Sequence, residues 1–202
     1  VNIVTLEDPV EYYLQGVNQS QVNPEVGLTF AAGLRSILRQ DPDIIMVGEI
    51  RDNETAALAV HAALTGHIVL STLHTNDAFG AVPRLIDMKI EPFLIASALN
   101  IVMAQRLVRR ICEFCKREVH LPKQAEDDIL NSLSALPKTA WPSDVKYVSP
   151  MTFYEGVGCA RCENTGYKGR VSISEVLEIN DQIKKIIIDG GNLIDNIQTA
   201  FI

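Results

Sequence analysis

No apolar stretch in these 202 residues approaches the roughly 20 residues that a membrane-spanning helix needs. Aromatic residues make up only 6%, with a single tryptophan, and they offer no stacking platform for single-stranded nucleic acid. Positive charge is short: 18 Lys+Arg stand against 25 Asp+Glu, for a net charge of -7 and a pI near 5.1. A nucleic-acid groove needs a basic face, so no nucleic-acid partner is expected. The one basic cluster is Arg106, Arg109 and Arg110, followed by Lys116 and Arg117. It reads as a solvated helix end or a subunit contact. No signal peptide is expected, and no internal repeat or low-complexity tract is read. The chain opens on VNIVTLEDP, in mid-strand and without a methionine, so it is expected to be a piece of something longer. Cysteine is scarce too: the four fall into two CxxC pairs with none left over. Against these shortages stands 47% hydrophobic residues, enough for a real core in one large domain, or one domain plus a small annex.

The stretch that organises the rest is LRQDPDIIMVGEIRD, residues 38–52. Asp41-Pro42-Asp43 stops the preceding helix, because a residue before proline is pushed out of the helical region. Ile44, Ile45, Met46 and Val47 form a short unbroken apolar run, as in the middle of a parallel sheet. Ligands in such sheets bind beyond the carboxyl ends of the strands, where Gly48, Glu49, Arg51 and Asp52 follow. An apolar strand delivering an acid to a phosphate site is the Walker B arrangement of P-loop NTPases. A buried strand followed by a solvated charged turn fits the same pattern equally well.

Along the chain, residues 2–5 read as a strand running into the acidic turn Glu7-Asp8-Pro9. Val17 and Val22 suggest a short hairpin. Thr29 can cap a helix over residues 30–40, with Phe30, Leu34, Ile37 and Leu38 on one face. Asp52 or Asn53 caps an alanine-rich helix, residues 54–64, closed by Gly66. Residues 67–73 (HIVLSTL) read as another buried strand, leading into His74. Helices are expected over about 78–87, with Pro83 near the start, and over 91–98; residues 101–108 suit strand or helix. This alternation predicts an α/β fold with a parallel sheet core over residues 1–110. It places Glu7, Glu49 and His74 on one sheet edge. Beyond Cys112 we expect a helix over 123–136 with Ile129, Leu130 and Leu133 inward. Trp141, Tyr147 and Phe153 would cover a small core, and Pro137, Pro142 and Pro150 would mark loops. A turn at Gly166–Gly169 precedes an alternating strand through Val171, Ile173, Val176 and Leu177, and a last helix covers 181–188 before Gly190-Gly191.

Cys112-x-x-Cys115 and Cys159-x-x-Cys162 are read as two metal knuckles. A tight turn lets both sulfurs of a pair approach one ion, and two such turns make the tetrahedral S₄ set that zinc prefers. A redox CxxC would need only one pair. Disulfides would not persist in an intracellular enzyme. Four thiolates leave no open coordination position, so the zinc would be structural.

These residues resemble a family. VTLEDPVEY (residues 4–12) is similar to the Asp box of the secretion ATPase superfamily, LRQDPDIIMVGEIRD to its Walker B box, and TGHIVLSTLHTNDA (65–78) to its His box. AQRLVRRIC (104–112), the paired CxxC and TGYKGR (165–170) continue the series in order over nearly the whole chain. The paired cysteines resemble the branch of type IV pilus assembly and type II secretion ATPases. The resemblance implies part of a RecA-like P-loop NTPase domain (1–110), a tetracysteine zinc-binding annex (111–168) and a C-terminal strand and helix (169–202). It implies a cytoplasmic homohexamer, peripheral to the bacterial inner membrane and reaching it only through partners. That hexamer would hydrolyse ATP with Mg²⁺ to drive pilin or pseudopilin through an inner-membrane platform protein. The catalytic residues it implies are Glu49 (water activation or Mg²⁺ through water), Glu7 beside Mg²⁺ and the attacking water, His74 at the γ-phosphate, and Arg51 orienting Glu49. Asp8 and His67 would assist in binding, His67 in a mainly structural way. Cys112, Cys115, Cys159 and Cys162 would hold Zn²⁺.

The sequence departs from the family pattern in having no GxxxxGK[ST], which we expect to lie upstream of Val1. By itself the chain is therefore expected to be inactive. A non-catalytic zinc-bearing docking module is the alternative. Asn100 stands where glycine is usual, and Ser172 and Ser174 replace residues after TGYKGR; we expect these to alter packing, not chemistry.

Overall fold

The computed structural model describes residues 1–134 and 151–201. Trp141, Tyr147, Pro137, Pro142, Pro150 and the predicted helix end at Leu136 lie outside the described residues. The chain forms two compact units, one of Val1–Ala104 with Glu175–Phe201, the other of Gln105–Ser174.

The first unit is built on four parallel strands, β1 (Ile3–Glu7), β2 (Asn18–Gln21), β3 (Ile44–Val47) and β4 (Ile68–Ser71), in the order β2-β1-β3-β4. Leu6 lies level with Val47, and Val47 with Ser71, so the strands end together. The chain reaches β3 through α1 (Phe30–Ile37) and β4 through α2 (Asn53–Leu64), the crossover helices a parallel sheet requires. Both helices start where their caps stand. Thr29 Oγ1 accepts from Ala32 N–H at 3.2 Å, and Asp52 Oδ1 accepts from Thr55 N–H at 2.8 Å. Gly66, at φ 103°, turns the chain back after α2.

Leu6, Leu34, Ile45 and Val47 are fully buried between sheet and helices. The same core takes in Leu177, Ile179, Ile183, Ile187 and Ile197 from the end of the chain. α3 (Ala81–Asp87), α4 (Pro92–Ala98), α6 (Asp181–Asp189) and α7 (Leu193–Phe201) complete this unit. Pro83 sits in the first turn of α3, where its missing N–H costs nothing.

Several expectations are corrected. The predicted hairpin does not form; β2 pairs in parallel with β1, Thr5 opposite Gln19. β4 is not buried but an edge strand among the described residues, with Ile68 and Leu70 57% and 55% exposed. β5 (Ile101–Ile111) is a strand throughout, so the basic cluster lies on strands and not at a helix end. β8 (Tyr167–Glu178) begins inside the predicted turn and pairs with β5. The helix does break at Gly190-Gly191, but it is not the last, since α7 follows.

In the second unit, β6 (Lys116–Val119) pairs antiparallel with β7 (Phe153–Gly156), and α5 (Lys123–Ser134) keeps Ile129, Leu130 and Leu133 half-buried. Its basic side chains are engaged locally: the Arg109 guanidinium lies 4.2 Å over the Tyr167 ring and Arg117 pairs with Glu155 at 2.5 Å. No described helix is long and apolar enough to cross a membrane.

Candidate nucleotide and metal sites

The carboxyl edge of the parallel sheet gathers most of the predicted acids. After β3 the chain passes so close to β1 that Gly48 N–H donates to the Leu6 carbonyl at 2.7 Å. A Cβ at Gly48 would meet that oxygen at 3.0 Å, so only glycine fits without a shift. Ile50 then turns inward, 7% exposed, and its amide donates to the Thr72 carbonyl at 3.0 Å beyond β4. With Ile50 as the anchor, Glu49 and Arg51 flank it, and Arg51 reaches Glu49 Oε1 at 2.5 Å. His74 Nε2 meets the other oxygen, Oε2, at 2.8 Å. Thr72 donates its hydroxyl to the Gly48 carbonyl at 2.7 Å, tying the two strand ends to each other.

The Glu49 carboxylate is recessed, 12% exposed, while Arg51 and His74 are open at 61% and 78%. The Arg51 hydrogen bond, then that of His74, holds the Glu49 carboxyl below its ordinary range against the opposing effect of burial. The Arg51 guanidinium is held charged chiefly by Glu49, with a smaller pull from Asp8.

Glu7, 9% exposed at the end of β1, takes two hydrogen bonds on Oε1, from Thr5 Oγ1 at 2.5 Å and Gln19 Nε2 at 2.9 Å. Sequence reasoning did not find Thr5 or Gln19. A polar NQSQ strand carries no apolar alternation to announce that its side chains serve a neighbour. Asp8 is exposed on the turn beyond. His67 is not brought to this edge. It stands before β4, at the opposite end from His74, with Nδ1 2.9 Å from the Ala62 carbonyl at the close of α2.

In the second unit the four predicted cysteine sulfurs lie within 4.8 Å of one another, and Cys112, Cys115 and Cys162 are buried. The Cys115–Cys162 and Cys159–Cys162 separations are 3.8 Å and that of Cys112–Cys159 is 4.0 Å. Zinc–sulfur bonds of about 2.3 Å in a tetrahedron place sulfurs about 3.8 Å apart, so the set fits zinc. Backbone shapes each knuckle. Cys115 N–H donates to the Cys112 carbonyl, and Asn164 N–H to that of Cys159 at 2.9 Å. Gly158, at φ 96°, passes Asn164 so closely that a Cβ would lie 2.8 Å from its carbonyl oxygen. Burial pushes the Cys115 thiol up. Burial acts on Cys162 as well, but bonds from the Cys159 and Gly166 backbone and from neighbouring thiols outweigh it and draw Cys162 towards thiolate.

The family described as "Type II/IV secretion system protein" matches residues 1–201. This chain belongs to that family. A type IV pilus assembly ATPase, PilB, of Myxococcus xanthus is 51% identical over 199 residues, 98% of this chain and 33% of that protein. Type II secretion system protein E of Klebsiella pneumoniae is 49% identical over 197 residues, 98% of this chain and 36% of that protein. The chain thus spans about a third of the length of these secretion-system relatives. Among solved structures, the pilus retraction motor PilT with bound ADP superposes with a TM-score of 0.63 at 27% identity, covering 99% of this chain and 43% of that one. The ATPase DotB of Yersinia pseudotuberculosis, at 22% identity and a TM-score of 0.64, shares the fold over 98% of this chain and 41% of that one.

Proposed function

We propose that this chain supplies the acid and sensor side of an ATP site in a hexameric motor driving type IV pilus assembly or type II protein secretion. The observation that carries the reading is the Arg51–Glu49–His74 arrangement at the carboxyl edge of the sheet, in a chain half identical to ATPases of both machines. Glu49 stays ionised because Arg51 and His74 hold it so. An acid of low proton affinity is a weak base. It therefore orients the attacking water or binds a hydrated cation better than it stores a proton. Glu7, fixed by Thr5 and Gln19, presents a second carboxylate, and Asp8 stands beside it. Such hard oxygen donors suit Mg²⁺, which when bound neutralises phosphate charge. His74 is exposed, one bond from Glu49, and would contact the terminal phosphate. Arg51 orients Glu49.

The cysteine set would hold one structural Zn²⁺, making residues 111–168 a zinc-binding annex to the ATPase core. We propose that the motor works in the cytoplasm, as a homohexamer acting on an inner-membrane platform protein; the likeness to type IV pilus assembly and type II secretion ATPases supports this.

ATP hydrolysis by this chain extended upstream through a P-loop tests the reading. Glu49→Gln should lower turnover by about 10²-fold or more with nucleotide binding retained. Unimpaired turnover in that variant would exclude the role given to Glu49.

A further inference from the structure

In β8 the half-buried Glu175 lies two residues before the buried Leu177, and period two puts them on the same side. A carboxylate beside such a neighbour needs a partner. Glu175 Oε2 accepts the Ala78 N–H at 2.6 Å, and Ala78 is fully buried. Ala78 closes the segment that begins at His74. That segment is wound tightly on itself: Thr75 Oγ1 donates to the Asp77 carbonyl at 2.9 Å, and Gly80 N–H donates to Asp77 Oδ1 at 2.8 Å. Beyond it Phe79, Ala81 and Val82 are buried in the core. The turn is therefore stiff within itself, and a hydrogen bond ties it to a neighbouring element at each end. His74 Nε2 meets Glu49 at one end, and the Ala78 amide meets Glu175 at the other.

We propose that Glu175 is a positioning residue for His74: by holding the Ala78 amide it sets the 74–80 turn where the imidazole reaches Glu49. Glu175 touches no reacting group. It acts through the turn, and its effect on turnover rests on the ATP-site reading given above. A small displacement suffices, since misplacing a group by about 1 Å can cost two orders of magnitude in rate.

Two readouts test it separately. In the 202-residue chain with ¹⁵N-labelled histidine, Glu175→Ala should move the His74 ring signals and leave those of His67 in place. His67 is bonded to the Ala62 carbonyl at the far end of β4 and reports any general loss of structure. Glu175→Gln, whose amide oxygen can accept the same N–H, should restore the His74 signals. An unmoved His74, or His67 and His74 moving together in both variants, overturns the proposal. In the chain extended through a P-loop, Glu175→Ala should lower kcat about tenfold, leave KM for ATP unchanged, and add nothing to His74→Ala. Losses that add would also overturn it. If His74→Ala alone left turnover intact, the ATP-site reading would fall, and the ring signals would still decide whether Glu175 places His74.

Discussion

The two candidate sites are held by different means. At the sheet edge, structure comes from apolar burial beneath the site: Leu6, Ile45, Val47 and Ile50 fix the strand ends, Glu7 and Glu49 are recessed above them, and Arg51 and His74 stand on top, open to solvent. At the cysteine set the order is reversed. The buried cluster there consists of Cys112, Cys115 and Cys162 with Cys159 against it, and among the described residues no aliphatic side chain joins them. The ligands are themselves the core. A site resting on a hydrophobic floor can exchange ligands without losing its shape. A site whose floor is its ligand set depends on the ion for its fold.

The largest effect that follows is on the second unit. Removing zinc, or replacing Cys112 and Cys159 by serine, should unfold the region around β6 and β7 while the parallel sheet persists. Structural zinc contributes about 10–16 kcal/mol of apparent binding free energy to sites of this kind. Hydrogen exchange with and without chelator, read unit by unit, measures it, alongside one zinc per chain by metal analysis. Equal protection of β6 and β7 in both conditions would erase the contrast.

A smaller effect should come from the floor of the other site. Ile45 is fully buried at the centre of the sheet, and Ile45→Ala should cost about 2–5 kcal/mol in denaturant unfolding of the first unit. Zinc content should not change. Loss of zinc from this variant would show the two floors to be one.

The smallest concerns the polar groups. The Glu49 carboxyl is held down in the folded chain, by Arg51 first and His74 second, so the folded state binds fewer protons than the unfolded one. Its stabilisation is complete above the ordinary glutamate value of about 4.3 and is lost as pH falls through the lowered folded value. Glu49→Gln should flatten stability against pH in that acid range. Because Arg51 is 61% exposed, solvent screens the pair and the change should be slight. A steep change would mean that the sheet edge is more closed than its side chains indicate.

Much of this was legible in the sequence where one residue type answers one local demand. Thr29 and Asp52 cap the helices expected of them. Gly66 turns the chain, and the cysteine pairs meet. Glu49 and His74 were placed on one edge by the strand–helix alternation alone, and they share a hydrogen bond. What was not legible depends on partners distant in sequence. Gln19 reads as a turn residue until β2 is laid parallel to β1 and the amide reaches Glu7. Glu175 looked like an interruption of an alternating strand, and its partner Ala78 lies 97 residues away. α7 was missed because Gly190-Gly191 signals an end, and local signals do not say that Ile197 is wanted by the core on the far side of it.

The first unit is discontinuous, and this sets the order in which the chain can mature. Synthesis from the amino end delivers the four parallel strands before residues 105–174, and only after these the residues that supply Leu177, Ile183, Ile187 and Ile197 to the core that also holds Val4 and Leu6. The cysteine unit is complete on emergence while the sheet still waits for its last side chains. A nascent chain therefore holds an unfinished apolar surface through the translation of an entire second unit, the interval in which chaperones act.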